Sequence, residues 1–129
     1  MSAESQSSWR DLSHETGLRP NDDSIEVHFG DGRRQTVRVD EHPDGSIRLW
    51  SIVARPSALR NLHTPRLDAW NRNRLSEFVG FSLDRRGRMI GEAWVPPGEL
   101  GADEWAFYVT SLARACDRYE YLLTGRDET

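Results

Sequence analysis

From Ser24 the chain alternates single apolar and polar residues: Ile25, Val27 and Phe29 against Glu26 and His28. A period of two marks a strand with one buried side and one wetted side. Gly30-Asp31-Gly32 supplies the positive-φ positions of a hairpin turn. The returning strand sets Val37 and Val39 against Thr36 and Arg38, and His42-Pro43-Asp44-Gly45 reverses the chain again. A third strand runs from Ser46 to Ala54, with Ile47, Leu49 and Val53 on one side and Trp50 and Ile52 on the other. Being apolar on both sides, it reads as a central strand or as one that presents a binding surface. Three sequential strands with tight turns make an antiparallel meander.

Pro56 ends the meander, and Thr64-Pro65 opens a helix with a capping hydroxyl and a proline at the first helical position. Leu67, Trp70 or Asn71, and Arg74-Leu75 track one side of it. Period two returns at Phe78 to Leu83, Asp84-Arg85-Arg86-Gly87 turns the chain, and Met89 to Val95 runs back. Pro96-Pro97-Gly98 forbids continuation of that strand. Beyond it Trp105, Tyr108, Val109, Leu112, Cys116, Tyr119, Leu122 and Leu123 recur at three- and four-residue steps, an amphipathic helix over 102–123. Asp103 and Glu104 at its start and Arg114 and Arg118 toward its end suit the helix dipole, and Gly125 closes it. Its stripe is expected to form most of the core under the sheet.

At the other end, Trp9, Leu12 and Thr16 have helical spacing before Gly17 and Pro20, which predicts a short docking helix at 8–16; the Ser-rich residues 1–8 are expected to be disordered. The pattern therefore predicts an α+β fold of order αβββαββα, an antiparallel five-stranded sheet with flanking helices. Residues 1–22 form a flexible N-terminal segment with a short helix, and 23–125 a single domain.

Composition narrows this picture. At 129 residues and 36% hydrophobic content, the core is modest and must lean on five Trp, four Phe and three Tyr. No apolar run approaches the roughly 20 residues that cross a bilayer, and the first residues lack the basic start and apolar stretch of a signal peptide. A lone cysteine, Cys116, excludes an internal disulfide. A cytoplasmic protein without membrane contact is the expectation.

All 17 basic residues are arginine, which removes Schiff-base and phosphate-loop lysines from consideration. Guanidinium forks suit carboxylate and phosphate, but codon bias of a GC-rich genome explains the usage more simply. Segment 55–88 holds eight Arg and three acids, whereas 1–31 and 89–129 each carry a net −5. Charge matching between neighbouring elements is the plainer reading of that distribution. Nucleic-acid binding is the competing one, with Arg66, Arg72, Arg74, Arg85, Arg86 and Arg88 along an edge and Trp50 and Trp70 as stacking platforms. Against it stand a sequence pI near 5.5 and the acidic flanks.

Catalytic chemistry is not signalled. His14, His28, His42 and His63 fall in different elements, and Glu41, His42 and Asp44 read as a polar hairpin tip instead of converging metal ligands. Cys116 lies on the apolar stripe and reads as an inert core thiol. Asp84 and Glu92 flank a hairpin, a commonplace arrangement of carboxylates. G-x-S-x-G, H-E-x-x-H, Walker and G-x-G-x-x-G sequences are absent. No catalytic residue, metal site or cofactor is assigned.

One family shares this order of elements. Trp70-Asn71-Arg72-Asn73-Arg74, Phe81-Ser82-Leu83-Asp84 with Gly87, Glu92-Ala93-Trp94-Val95-Pro96 and Tyr119-Glu120-Tyr121-Leu122-Leu123 carry the likeness. The order resembles the type III secretion chaperone-like fold, and the segment from Leu67 onward resembles its YbjN-like branch of bacterial proteins. The meander matches by order alone. The resemblance implies a small homodimer, without cofactor or catalytic residues, that binds a segment of a client or regulatory protein. If the last helix covers Leu49 and Val53, then Trp50 and Ile52 project from the opposite face, joined by Trp94 where the register allows. Arg72, Arg74, Arg85 and Arg86 would add charged contacts. The alternative is that the N-terminal or the middle helix buries this patch permanently.

Overall fold

The computed structural model describes residues 8–124 apart from 31, 61, 63 and 74–77. The disorder expected at the extreme N-terminus (residues 1–7), the helix positions Arg74 and Leu75, and the closing Gly125 lie outside the described residues. In chain order the elements are α1 (Trp9–Glu15), β1 (Arg19–Pro20), β2 (Ser24–His28), β3 (Arg34–Glu41) and β4 (Ile47–Ala54). A 3-10 turn (Pro56–Leu59) leads to α2 (Pro65–Asn73), then β5 (Gly80–Leu83), β6 (Met89–Val95) and α3 (Ala102–Thr124).

The strands form one antiparallel sheet in the order β1-β2-β3-β4-β6-β5. It has six strands where the alternation predicts five. The extra one, β1, is two residues long, too short to show a period, and pairs Arg19 with Glu26 and Pro20 with Ile25. Proline is tolerated there because β1 is the sheet edge, where a missing N–H breaks no ladder.

Register places the paired inward residues on one side. Ile25 faces Val37, Val39 faces Leu49, Leu49 faces Ala93, and Phe81 faces Gly91. Against this side lies α3, whose Trp105, Val109, Leu112 and Cys116 are fully buried together with Leu49 and Val53. Leu122 departs from the expected stripe and is 60% exposed. At 3.6 residues per turn it sits about 100° from the Trp105 direction, whereas Leu123 is in line with it.

The helix comes close to the sheet because β6 carries a glycine at the crossing. A Cβ at Gly91 would stand 2.5 Å from Cys116 Sγ and 3.0 Å from the Phe81 ring. The bare backbone is thus a steric requirement of the packing.

Helix α1 packs on the same side of the sheet as α3, with Trp9 and Leu12 buried. Ser8 caps its start by accepting from Asp11 N at 3.2 Å. Ser13 Oγ accepts from Trp105 Nε1 at 2.9 Å and donates to the Trp9 carbonyl at 2.7 Å. Trp9 Nε1 in turn donates to Glu41 Oε1 at 3.0 Å, tying the helix to the end of β3. A hydroxyl and two indoles therefore clasp α1 to the core.

Two substitutions test these contacts. Ser13→Ala leaves the buried Trp105 N–H without its acceptor and should lower stability by about 1–3 kcal/mol in urea unfolding. Gly91→Ala should cost a similar ~1–3 kcal/mol through overpacking. Adding Cys116→Ala should return part of that loss, so that the two changes are not additive in a double-mutant cycle.

Candidate functional site

With α1 and α3 on one side, none of the described helices packs on the other. Strand parity and register decide what this open face carries. Asp40, Arg48 and Trp94 form one row across β3, β4 and β6; Arg38, Trp50 and Glu92 form the next; Ile52 and Ile90 form a third. Trp50 and Ile52 are half-buried, Trp94 is 49% exposed, and Ile90 is buried without belonging to the core beneath α3.

Trp50 is the centre of the face. Its Nε1 donates to Asp40 Oδ2 at 3.0 Å. The guanidinium carbons of Arg48, Arg38 and Arg88 stand 5.3, 5.7 and 5.8 Å from its ring centroid. Arg48 bridges Glu92 (Nε to Oε2, 2.5 Å) and Asp40 (3.3 Å), and Arg88 pairs with Asp84 at 2.7 Å. Arg38 alone of the three has no carboxylate within ion-pair distance among the described residues. At the far end of the row, the rings of Trp94 and His42 lie 4.9 Å apart. The expected apolar patch is in fact a mixed surface of aromatic rings, aliphatic side chains and guanidinium groups.

The candidate residues thus divide. Trp50, Ile52 and Trp94 come together on the open face. Arg72 does not join them: it lies on α2 with its guanidinium 5.4 Å from the Tyr119 ring, on the α3 side. Arg74 falls outside the described residues. Arg85 and Arg86 occupy the exposed tip of the β5–β6 turn. There Asp84 organises the chain by accepting from Arg86 N and Arg88 N, both at 2.9 Å. Burial disfavours the Asp84 carboxylate, but these bonds and the Arg88 side chain outweigh it and hold its pKa below the usual range.

The middle helix does not bury the patch. α2 flanks β5 at the sheet edge, where the Asn73 amide continues the ladder by accepting from Phe81 N at 2.6 Å and donating to Phe81 O at 3.0 Å. Asp68 accepts from the Tyr119 hydroxyl, and burial together with that bond raises the Tyr119 pKa. The α2 side marked by Leu67 and Trp70 is exposed, at 52% and 56%. Arg38, Arg48 and Arg88, which complete the site, carry a readable signal only once register is known.

No group of three His, Cys, Asp or Glu side chains positioned for a metal occurs among the described residues. The described arginines of the nucleic-acid reading divide between α2 (Arg66, Arg72), the β5–β6 turn (Arg85, Arg86) and the edge of the Trp50 ring (Arg88), with Trp50 and Trp70 on separate elements. No described helix is long and apolar enough to cross a membrane. Burial, with Glu120 and Asp117 nearby, pushes the Cys116 thiol well above its ordinary pKa.

No protein-family model and no curated protein matches the sequence. Solved structures do. A chain of the heterodimeric ExoU–SpcU complex from the type III secretion system of Pseudomonas aeruginosa superposes with a TM-score of 0.57 at 22% identity, covering 90% of this chain and 98% of that one. The ExsC–ExsE complex gives 0.60 at 15% identity, over 88% and 89% of the two chains. YbjN, a putative transcription regulator from E. coli, gives 0.59 at 16%, over 89% and 84%. The chain has the type III secretion chaperone-like, YbjN-like fold. At these identities the likeness is one of fold, and it spans 88–90% of the chain.

The placement of Cys116 is directly testable. A thiol reagent at pH 8 should leave it unmodified in the native protein and label it once urea unfolds the chain; stoichiometric labelling of the native state would contradict the close packing against Gly91.

Proposed function

We propose that this chain is a non-enzymatic, chaperone-like protein-binding module that holds a segment of a partner protein on the open face of its sheet. One observation carries the reading: a whole sheet face, with Trp50, Ile52 and Trp94 at its centre, is left uncovered by the described helices. Exposed aromatic and aliphatic area of this kind is a favourable anchor for a partner. The ExoU–SpcU and ExsC–ExsE complexes, in which a chain of similar fold is joined to another protein, support the same reading. Arg38 adds specificity, since a carboxylate on the partner would complete an ion pair beside the Trp50 ring.

The module works as a homodimer in the cytoplasm. Self-association falls to the helical side, where Leu67 and Trp70 on α2 and Phe107, Tyr121 and Leu122 on α3 are more than half exposed. This leaves the open face to the partner.

Two experiments test the proposal. A photo-crosslinking benzoyl-phenylalanine in place of Trp94 should trap a defined protein in living cells. Trp50→Ser with Ile52→Asn should reduce that product by about tenfold or more while circular dichroism stays unchanged. An undiminished product would remove the open face as the binding surface. For self-association, light scattering should give twice the chain mass, falling to one chain mass in Leu67→Asp/Trp70→Asp; a monomeric natural chain would dispose of the homodimer.

A further inference from the structure

A second surface carries the opposite chemistry. At the end of the sheet, on the helix-bearing side, a cleft of about 740 Å³ opens between the start of α1, the β3–β4 turn, the loop after β6 and the start of α3. Its volume is that of a ligand site. Ile47 and Leu100 contribute half-buried apolar wall over the buried Trp9, Leu12 and Trp105, and Gly98 leaves part of the cleft without a side chain, so a bound backbone could approach closely there.

The charged groups lining the cleft are Glu41, Glu99 and Glu104, with no arginine or histidine among the lining residues. Glu41 accepts from the Trp9 indole and Glu104 from Gly101 N, each through Oε1. These bonds fix two carboxylates at the rim, and among the described residues no arginine or histidine lies within ion-pair distance of either. The N-terminal turns of α1 and α3 bring partial positive charge to the same place, which Asp11, Asp103 and Glu104 answer. Arg10 stacks 4.4 Å over the Trp9 ring and donates to the Asp22 carbonyl, and it does not line the cleft.

We infer that this cleft binds an extended peptide segment in which aliphatic residues alternate with arginine or lysine. The aliphatic side chains meet Ile47 and Leu100, and the cations meet the three glutamates. The site is distinct from the open face and does not rest on that face's role. A partner could therefore touch the protein at two places with opposite charge requirements, or two partners could bind together.

The experiment uses fluorescein-labelled octapeptides and the full chain, read by fluorescence anisotropy. An alternating Leu–Arg peptide should bind, with affinity falling as salt rises; alternating Leu–Glu and Ser–Arg peptides should each bind at least about tenfold more weakly. Glu99→Lys, a change at an exposed position, should weaken the Leu–Arg peptide by about tenfold or more, and Glu104→Gln by less. Trp50→Ser/Ile52→Asn should leave it unchanged, so that failure here and failure of the open-face reading are separable. Equal binding of the Leu–Glu peptide, indifference to Glu99→Lys, or loss in the open-face variant would overturn the assignment.

Discussion

The fit of α3 against one side of the sheet determines what the other side can be. Its buried stripe, from Trp105 to Tyr119, saturates the inward face of β3, β4 and β6. At the crossing Cys116 and the Phe81 ring close on the bare backbone of Gly91, which leaves no room for a side chain there. α1 then joins the same side through the Ser13–Trp105 bond instead of crossing to the other. The apolar content is too small to build a second helical layer, so β4, apolar on both sides, keeps one of them in water.

An uncovered tryptophan-bearing sheet must still remain soluble when alone, and the arrangement around Trp50 provides for that. Cation–π contacts at exposed sites contribute roughly 0.5–1 kcal/mol each, and exposed ion pairs ~0–1 kcal/mol. Three guanidinium groups and the Asp40 acceptor thus hydrate and orient the ring without locking it away. Under the proposed role, contacts this weak would exchange readily for those of an incoming segment. The same four groups would keep the face from acting as a simple hydrophobic adhesive, since a partner must satisfy the arginines as well as cover the ring.

Most of the architecture was legible in the chain because it is written in period. The alternation at 25–29 and 79–83, the glycine turns and the three-four spacing of α3 each rest on local repetition, and each element appears within a residue or two of its expected place. What escaped was either too short or assembled from afar. β1 has only two residues, one of them proline, so no period exists to find. On α2 the packing is made by Ala69, Asp68 and Asn73, small or polar groups that a search for apolar stripes passes over in favour of Leu67 and Trp70. The cluster around Trp50 joins residues 38, 48 and 88, which become neighbours only through the β3–β4–β6 register.

Net charge hid the remaining feature. The formal −4 of the whole chain argues against anionic partners if it is read as uniform. The fold distributes it, however, into a sheet face where Asp40, Asp84 and Glu92 match the arginines except Arg38, and a glutamate-lined cleft at the end of the helical side. Because interactions in water fade over roughly 8–10 Å at physiological salt, an approaching segment responds to the local set and not to the sum. A partner docking on Arg38 and one docking on Glu99 therefore need opposite charges, and the composition of the chain predicts neither.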